Sequence, residues 1–277
     1  MAKERVTITI KKDLLKKLDN FIDGNDIRNR SHAVEHIISK SFEKNGIDTA
    51  VIMAGGEGTR LMPITYEIPK PLIPIHGKPM LEHQINMLKK NGIMDVILCV
   101  GYKNEKIREY FGDGSRFGVN IKYVVEDHPL GTAGPLRLIK KILKKTFIVI
   151  NVDTLMNPEI DMIYDFHKKN EALITILLVT VDDPSSYGVV SLRGNQIVDF
   201  VEKPKKNAPS NLINAGLMVF ESEALKYIPK NKYMLEDLYS RLLKTGRIYG
   251  YPHDKKVYDV GTHERYEKAI KEWEDIV

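Results

Sequence analysis

The sequence predicts an α/β fold: a mixed, mainly parallel sheet wound with helices, behind a small strand–helix–helix unit of its own. Two observations point there. TAVIMAG, VILCVG and FIVINVD are short apolar runs rich in β-branched residues, each closing on Gly or Asp, with helical stretches between them. Apolar strands alternating with helices imply a parallel sheet covered on both faces. Ahead of these runs the pattern differs, and Asn45-Gly46 is a natural stop between the two regions. The expected domains are residues 1–46 and 47–277.

In the first unit, Val6, Ile8 and Ile10 alternate with Arg5, Thr7 and Thr9, which predicts one strand with an apolar and a polar face. A helix follows from about Asp13, its expected N-cap, to Ile22, with Leu14, Leu15, Leu18, Phe21 and Ile22 as its stripe. Gly24-Asn25 breaks it. Ser31 is the expected cap of a second helix, whose apolar side carries Ala33, Val34, Ile37, Ile38, Ser41 and Phe42. One strand and two helices are too few for an independent core. The lone strand is therefore expected to pair with its copy in a second chain, as a homodimer. VTITI, the two helices and Arg30-Ser31 resemble the ribbon-helix-helix family of small dimeric DNA-binding proteins over roughly residues 3–45. The resemblance implies that Arg5, Thr7 and Thr9 enter a DNA major groove. It also implies that Ser31 and its helix start hold a phosphate. Ten Lys/Arg against seven Asp/Glu over that stretch are compatible with DNA, and equally with a dimerisation clip.

In the larger domain, helices are expected over Met80–Asn91, Glu105–Tyr110 and Gly134–Lys144. ALITILLVTV, YGVVSL, QIVDFVEKP and INAGLMVF have strand and turn character and extend the sheet as a mixed one. A charged helix is expected from His263 to Ile276. With 43% hydrophobic residues in 277, the chain can bury a substantial core. No apolar run reaches the roughly 18–20 residues that span a bilayer, and MAKERVTITIKKD lacks a signal-peptide h-region. The single cysteine, Cys99, sits inside VILCV as a small core residue. These features point to a cytoplasmic protein with no membrane partner. The net charge of +5 suits anionic substrates without naming them.

The first strand of this domain ends in AGGEGTR, Ala54 to Arg60. Its glycines let the backbone approach a phosphate chain and aim N–H groups at it. The loop lacks the Gly-Lys-Ser/Thr ending of a Walker A loop, and Leu61 stands where a dinucleotide fingerprint has its third glycine. The longer run AVIMAGGEGTRLMPITYEIPKPLIPIHGKPMLEHQI, residues 50–85, resembles the signature of the sugar nucleotidyltransferase superfamily. LGTAGPL (130–136), VDTL (152–155), VEKP (201–204), NAGLMVF (214–220) and DVGT (259–262) follow in the family's order, so the resemblance spans about residues 49–270. It implies a Rossmann-like sheet of the nucleotidyltransferase type. It also implies transfer of a nucleotidyl group from an NTP to a sugar-1-phosphate, releasing pyrophosphate.

The same resemblance implies the site residues. Ala54 and Gly55 contact the base through backbone groups, and Gly56, Gly58, Thr59, Gly131 and Thr132 enclose the nucleotide. Arg60 and Lys70, on a loop stiffened by Pro63, Pro69, Pro71 and Pro74, stabilise charge on the transferring phosphorus and the departing pyrophosphate. Asp153 and Asp259 form the expected Mg²⁺ pair. Lys203 neutralises the sugar phosphate, Glu202 and Asn214 bond the sugar hydroxyls, and Gly188 leaves room for the ring. No Ser, His or Cys nucleophile is needed, because the sugar phosphate oxygen is itself anionic. Val152 is a departure: the family carries Gly or Ser before the metal aspartate, and a β-branched residue bears on the width of the nucleotide–metal site.

LGTAGPL, DDPSSYGVV and VEKPKKNAPSNLINAGLMVF are most similar to mannose-1-phosphate and heptose-phosphate guanylyltransferases, which favours GTP. Glu126 is then either an acceptor for a guanine edge or an exposed charge. Uridylyl- and thymidylyltransferases share most of these motifs. A reading of another class stays open, a DNA-binding regulator whose large domain senses a nucleotide sugar. Arg60, Lys70, Lys203 and the two aspartates exceed what a sensor needs.

Overall fold

The β-branched runs form the centre of a nine-stranded sheet. A computed structural model of the chain describes residues 6–20, 22, 27–42, 46–126, 128, 130–205, 207–229 and 233–274. The strands are β1 (Thr49–Ala54), β2 (Asp95–Val100), β3 (Asn120–Val125), β4 (Phe147–Asn151), β5 (Ile174–Thr180), β6 (Gly188–Arg193), β7 (Gln196–Glu202), β8 (Leu212–Phe220) and β9 (Ile248–Pro252). Their spatial order is β3-β2-β1-β4-β8-β5-β9-β7-β6. β3, β2, β1 and β4 run parallel. β8 is antiparallel to β4 and β5, and β9 is parallel to β5. β7 is antiparallel to β9 and β6. The sheet is mixed, with its parallel pairing concentrated in the first half.

Both faces are covered, which is why these strands read as continuous apolar runs. Alternation along β1 sends Ala50, Ile52 and Ala54 into one core and Val51 into the other. β4 divides likewise, Ile148 and Ile150 against Phe147 and Val149. Cys99 is fully buried, and burial pushes its thiol up, so it is a core residue as expected. The helix Met80–Lys90 buries Leu81, Ile85 and Leu88. The expected helix over Gly134–Lys144 stops at Leu138. Beyond it the chain continues in tight turns that bury Ile139 and Leu143 and leave Lys140 and Lys141 exposed. The last described helix, His263–Glu272, docks Ala269 and the following Trp273 on Ile75, Met80 and Tyr258.

The chain divides into two compact units, Met1–Gly46 and Ile47–Val277. In the first, helices cover Lys12–Asp19 and Arg30–Phe42. Leu18, Ile27 and Ala33 are buried between them, and Arg30 grips Asp19 through two hydrogen bonds of 2.7 and 2.9 Å. The strand expected over Val6–Ile10 is not formed: residues 6–11 take no regular secondary structure. A strand needs a ladder partner, and the described part of this unit is otherwise helical. The caps differ too. Asp13 lies inside the first turn of its helix, and Asn29 rather than Ser31 caps the second, its Oδ1 accepting the His32 N–H at 2.9 Å. Phe21, Gly24 and Asn25 lie outside the described residues. Among the described residues, no helix is long and apolar enough to cross a membrane.

Candidate active site

The parallel strands β1 to β4 end at one edge of the sheet, so their following loops converge there. Gly55 follows β1, Gly101 follows β2, Glu126 follows β3, and Asp153 lies just past β4. The first two loops touch, the Tyr102 N–H donating to Gly55 O at 3.2 Å. Gly58 has φ +67°, and a Cβ there would stand 2.9 Å from the Thr65 methyl. This left-handed turn starts the tight helix Thr59–Leu61, which presents Arg60. Lys70 comes from a second tight turn, Lys70–Leu72, set by the flanking Pro69 and Pro71.

These loops enclose a cavity of about 630 Å³. Gly55, Gly56, Gly58, Thr59, Arg60, Lys70, Glu126, Gly131, Thr132 and Asp153 all line it. Ala54 does not: it is 1% exposed, turned into the core by the alternation of β1. Glu126 is half-buried rather than an exposed charge. Its Oε2 accepts the Leu130 N–H at 3.0 Å, and its Oε1 lies 2.7 Å from where a Gly55 Cβ would stand. Burial raises its carboxyl above the usual range. The LGTAG loop is stitched to the start of the helix Leu235–Leu243. Gly131, at φ +81°, lets Tyr233 O approach, and Thr132 Oγ1 accepts the Leu235 N–H at 2.8 Å.

A second cavity of about 270 Å³ lies alongside, lined by Gly188, Glu202, Lys203, Asn214 and Asp259. Strand register gathers them: Glu202 faces Gly188 across the β6–β7 pair, and Val189 pairs back to Ile213, next to Asn214. Lys203 Nζ sits 2.9 Å from Glu202 Oε1, and Asn214 Oδ1 accepts the Gly216 N–H at 2.9 Å. Gly188 lies in the wall of this cavity beside Phe200 and Glu202. The Phe200 ring and Glu202 Oε2 stand 2.4 and 3.0 Å from where its Cβ would be. Arg60, Thr132, Asn151 and Asp153 line both cavities, so the two meet at these residues.

The two aspartates come together through a short antiparallel pairing, Asp259 opposite Thr154 and Tyr258 opposite Leu155. The Val260 N–H also donates to Asp153 O at 2.7 Å. Lys70 Nζ is 2.7 Å from Asp153 Oδ2, with the lysine side chain only 10% exposed. Burial presses the Asp153 carboxyl upward, but Lys70, with Arg60 behind it, holds it below the usual carboxylate range. Asp259 is raised, by burial first and the Asp153 charge second, against the opposing pull of Arg265, which bonds its Oδ2. Two carboxylates that repel each other beside a phosphate-sized space fit a divalent cation. Among the described residues no cluster of three or more His, Cys, Asp or Glu side chains occurs. Val152 is 7% exposed and packs into the core, whereas the Asp153 side chain is 29% exposed. Val152 nonetheless contributes to the wall of the larger cavity.

Several residues around the site had no role assigned from the sequence. Arg265 lies over the Tyr187 ring at 4.5 Å while holding Asp259. Glu236 lines the smaller cavity, and its carboxyl is raised by burial and then by Glu202. Gln84 hydrogen-bonds beneath Asp153. Of these, Gln84 left a trace in the sequence, as a polar residue on a helical apolar stripe. The residues expected at DNA lie in the other unit: Thr7, Thr9 and Ser31 are exposed, and Arg5 lies outside the described residues.

Comparison with known proteins agrees with this geometry. Residues 49–276 match the nucleotidyl transferase family. The chain is 38% identical over 223 residues to the mannose-1-phosphate guanylyltransferase of Mycobacterium tuberculosis, covering 78% of this chain and 62% of that protein. It spans about three fifths of the length of the curated relatives it matches. HddC from Yersinia pseudotuberculosis, solved with GMP-PN, superposes with a TM-score of 0.70 at 28% identity, covering 81% of this chain and 99% of that one. A Bacillus anthracis chain proposed to be a glucose-1-phosphate thymidylyltransferase, solved with sucrose, gives 0.75 at 28%, covering 80% and 94%. With the match running from β1 into the last helix, and the matching loops gathered at one edge of the sheet, the chain belongs to the nucleotidyl transferase family.

Proposed function

We propose that this chain transfers a nucleotidyl group from an NTP to a sugar-1-phosphate, releasing pyrophosphate. The observation that carries the reading is the pair of cavities meeting at Arg60 and Asp153. The larger, with its glycine-lined wall, suits a nucleoside triphosphate. The smaller offers Lys203 to a phosphate and Glu202 and Asn214 to hydroxyls. The sugar phosphate oxygen attacks the α-phosphorus in line, and the bond to the pyrophosphate oxygen breaks. Arg60 stabilises charge on the departing group. Lys70 keeps Asp153 ionised and aimed at the junction. Mg²⁺, held by Asp153 and Asp259, supplies charge neutralisation at the α-phosphate when bound.

GTP and a mannose-type sugar are the favoured substrates. The loop resemblance supports this, as does the activity named for the Mycobacterium tuberculosis relative. Glu126 also stands as an acceptor beside Gly55, where a guanine edge would lie. Pyrophosphate release from GTP, UTP, dTTP and ATP, each against mannose-, glucose- and heptose-1-phosphate, tests the reading. Release that stops on chelation and is fastest with GTP and mannose-1-phosphate is expected. Faster turnover with UTP or dTTP would overturn the base alone. No release from any pair would overturn the transferase reading in favour of the sensor.

The first unit reads as a homodimer joined through Val6–Ile10. Val6 and Ile8 are 74% and 56% exposed in the single chain, an apolar edge that a second copy would cover. Contact of Arg5, Thr7, Thr9 and Ser31 with DNA belongs to the same reading. Gel shifts against genomic fragments test it, and a dimer that retains no fragment at low salt is a clip only.

A further inference from the structure

Gln84 is a polar residue in a place the core would fill better with an apolar one. It lies on the helix Met80–Lys90, 2% exposed, with Leu81, Ile85 and Leu88 fully buried at helical spacing around it. Its amide nitrogen donates to Asn151 O at 2.8 Å and to Thr154 O at 2.7 Å. Both amide hydrogens are thereby used on main-chain carbonyls. Its Oε1 is buried without a hydrogen-bond partner. A buried, unmatched acceptor weakens folding, so the side chain serves the core poorly. What it does serve is one short stretch of backbone. Asn151 ends β4, Thr154 faces Asp259, and Asp153 lies between the two bonded carbonyls.

We propose that Gln84 is a positioning residue for Asp153: its amide clamps both ends of the turn and fixes where the carboxylate stands at the junction of the two cavities. The clamp acts through the backbone, and Lys70 then sets the carboxylate itself. Without the amide, two carbonyls lose their donors in a dry place, and the turn can satisfy them only by moving. Asp153 would then keep its ion pair with Lys70 and the Val260 N–H bond, but on a looser frame. The inference rests on the transferase reading for its kinetic consequence, though not for the clamp.

The test compares Gln84→Leu and Gln84→Glu with Leu88→Ala, a buried change on the same helix whose side chain makes no hydrogen bond to the turn. Hydrogen exchange over residues 150–156 reads the clamp directly. Exchange there should quicken in both Gln84 variants and not in Leu88→Ala when all are compared well below their Tm. In the pyrophosphate assay, both Gln84 variants should lose about 10- to 100-fold in kcat, the scale of a misplaced catalytic group. KM for either substrate should change less than about threefold. Leu88→Ala should lower Tm with kcat per folded molecule unchanged. Unchanged exchange in the Gln84 variants overturns the proposal. So does a kcat loss no larger than the loss of folded protein. A wild-type chain inactive with every substrate pair overturns the transferase reading instead, and the exchange result then decides the clamp alone.

Discussion

At the level of single residues, the site is a set of charges matched before any substrate arrives. Lys70 answers Asp153, and Arg265 answers Asp259. Removing either acid therefore has two consequences. Asp153→Ala and Asp259→Ala should each lower metal-dependent turnover by about 100-fold or more, the scale set by losing one fixed electrostatic contact in a dry site. Asp153→Ala should also lower Tm further than Asp259→Ala. It strands a lysine side chain only 10% exposed, whereas Arg265 is 25% exposed and can turn to water. Steady-state kinetics with a melt of each variant checks both statements, and near-normal rates in both would remove the metal assignment. The glycine loop, Arg60, Lys70, Asp153, Lys203 and Asp259 were legible because each sits in a contiguous motif. Arg265 was not, and Gln84 showed only as a polar residue on an apolar stripe, because their roles arise from pairings across the fold that no local spacing displays. Side-chain alternation buries the Ala54 methyl, and the Phe200 ring stands over Gly188.

Among the elements, the sheet edge away from the site carries a polar cluster of its own. Glu221, just past β8, accepts from Thr146 at 2.9 Å, from Lys168, and from buried His167 at 3.3 Å, while His167 Nδ1 meets the Thr175 hydroxyl at 2.8 Å. The cluster ties the helix Ile160–Lys169 to the starts of β4 and β5 and the end of β8. Burial pushes the Glu221 carboxyl up, but bonds from His167, Lys168 and Thr146 outweigh it and bring it to about 2, from 4.5. A carboxyl depressed in the folded state contributes stability that is full above pH 4.5 and is lost as the pH falls towards 2. The whole span corresponds to about 3 kcal/mol. Glu221→Gln should lower the urea midpoint at pH 7, and the gap from wild type should narrow between pH 5 and pH 3. A constant gap would show that the charge does not matter. Strand periodicity was the most legible element signal, because burial on both faces leaves unbroken apolar runs. Val6–Ile10 instead alternates apolar and polar residues and forms no strand, since periodicity specifies a face but cannot supply a neighbour.

For the whole molecule, two units divide at Gly46–Ile47, and the family match begins just beyond, at residue 49. Each unit has its own core, a few residues in the first and two extensive clusters in the second. Deleting residues 1–46 should therefore leave a folded, active transferase of smaller oligomeric size. Sedimentation of the truncated chain at unchanged size would remove the dimer reading, and loss of folding would show that the larger unit depends on the smaller. The two cavities have a further consequence. Nearly all of the larger is built from residues 53–153, and apart from the shared junction nearly all of the smaller from residues 154–259. On the proposed reading, recognition of the base and recognition of the sugar are written one after the other along the gene. A single crossover near the helix Ile160–Lys169 would let a descendant inherit its sugar from one parent and its nucleotide from the other.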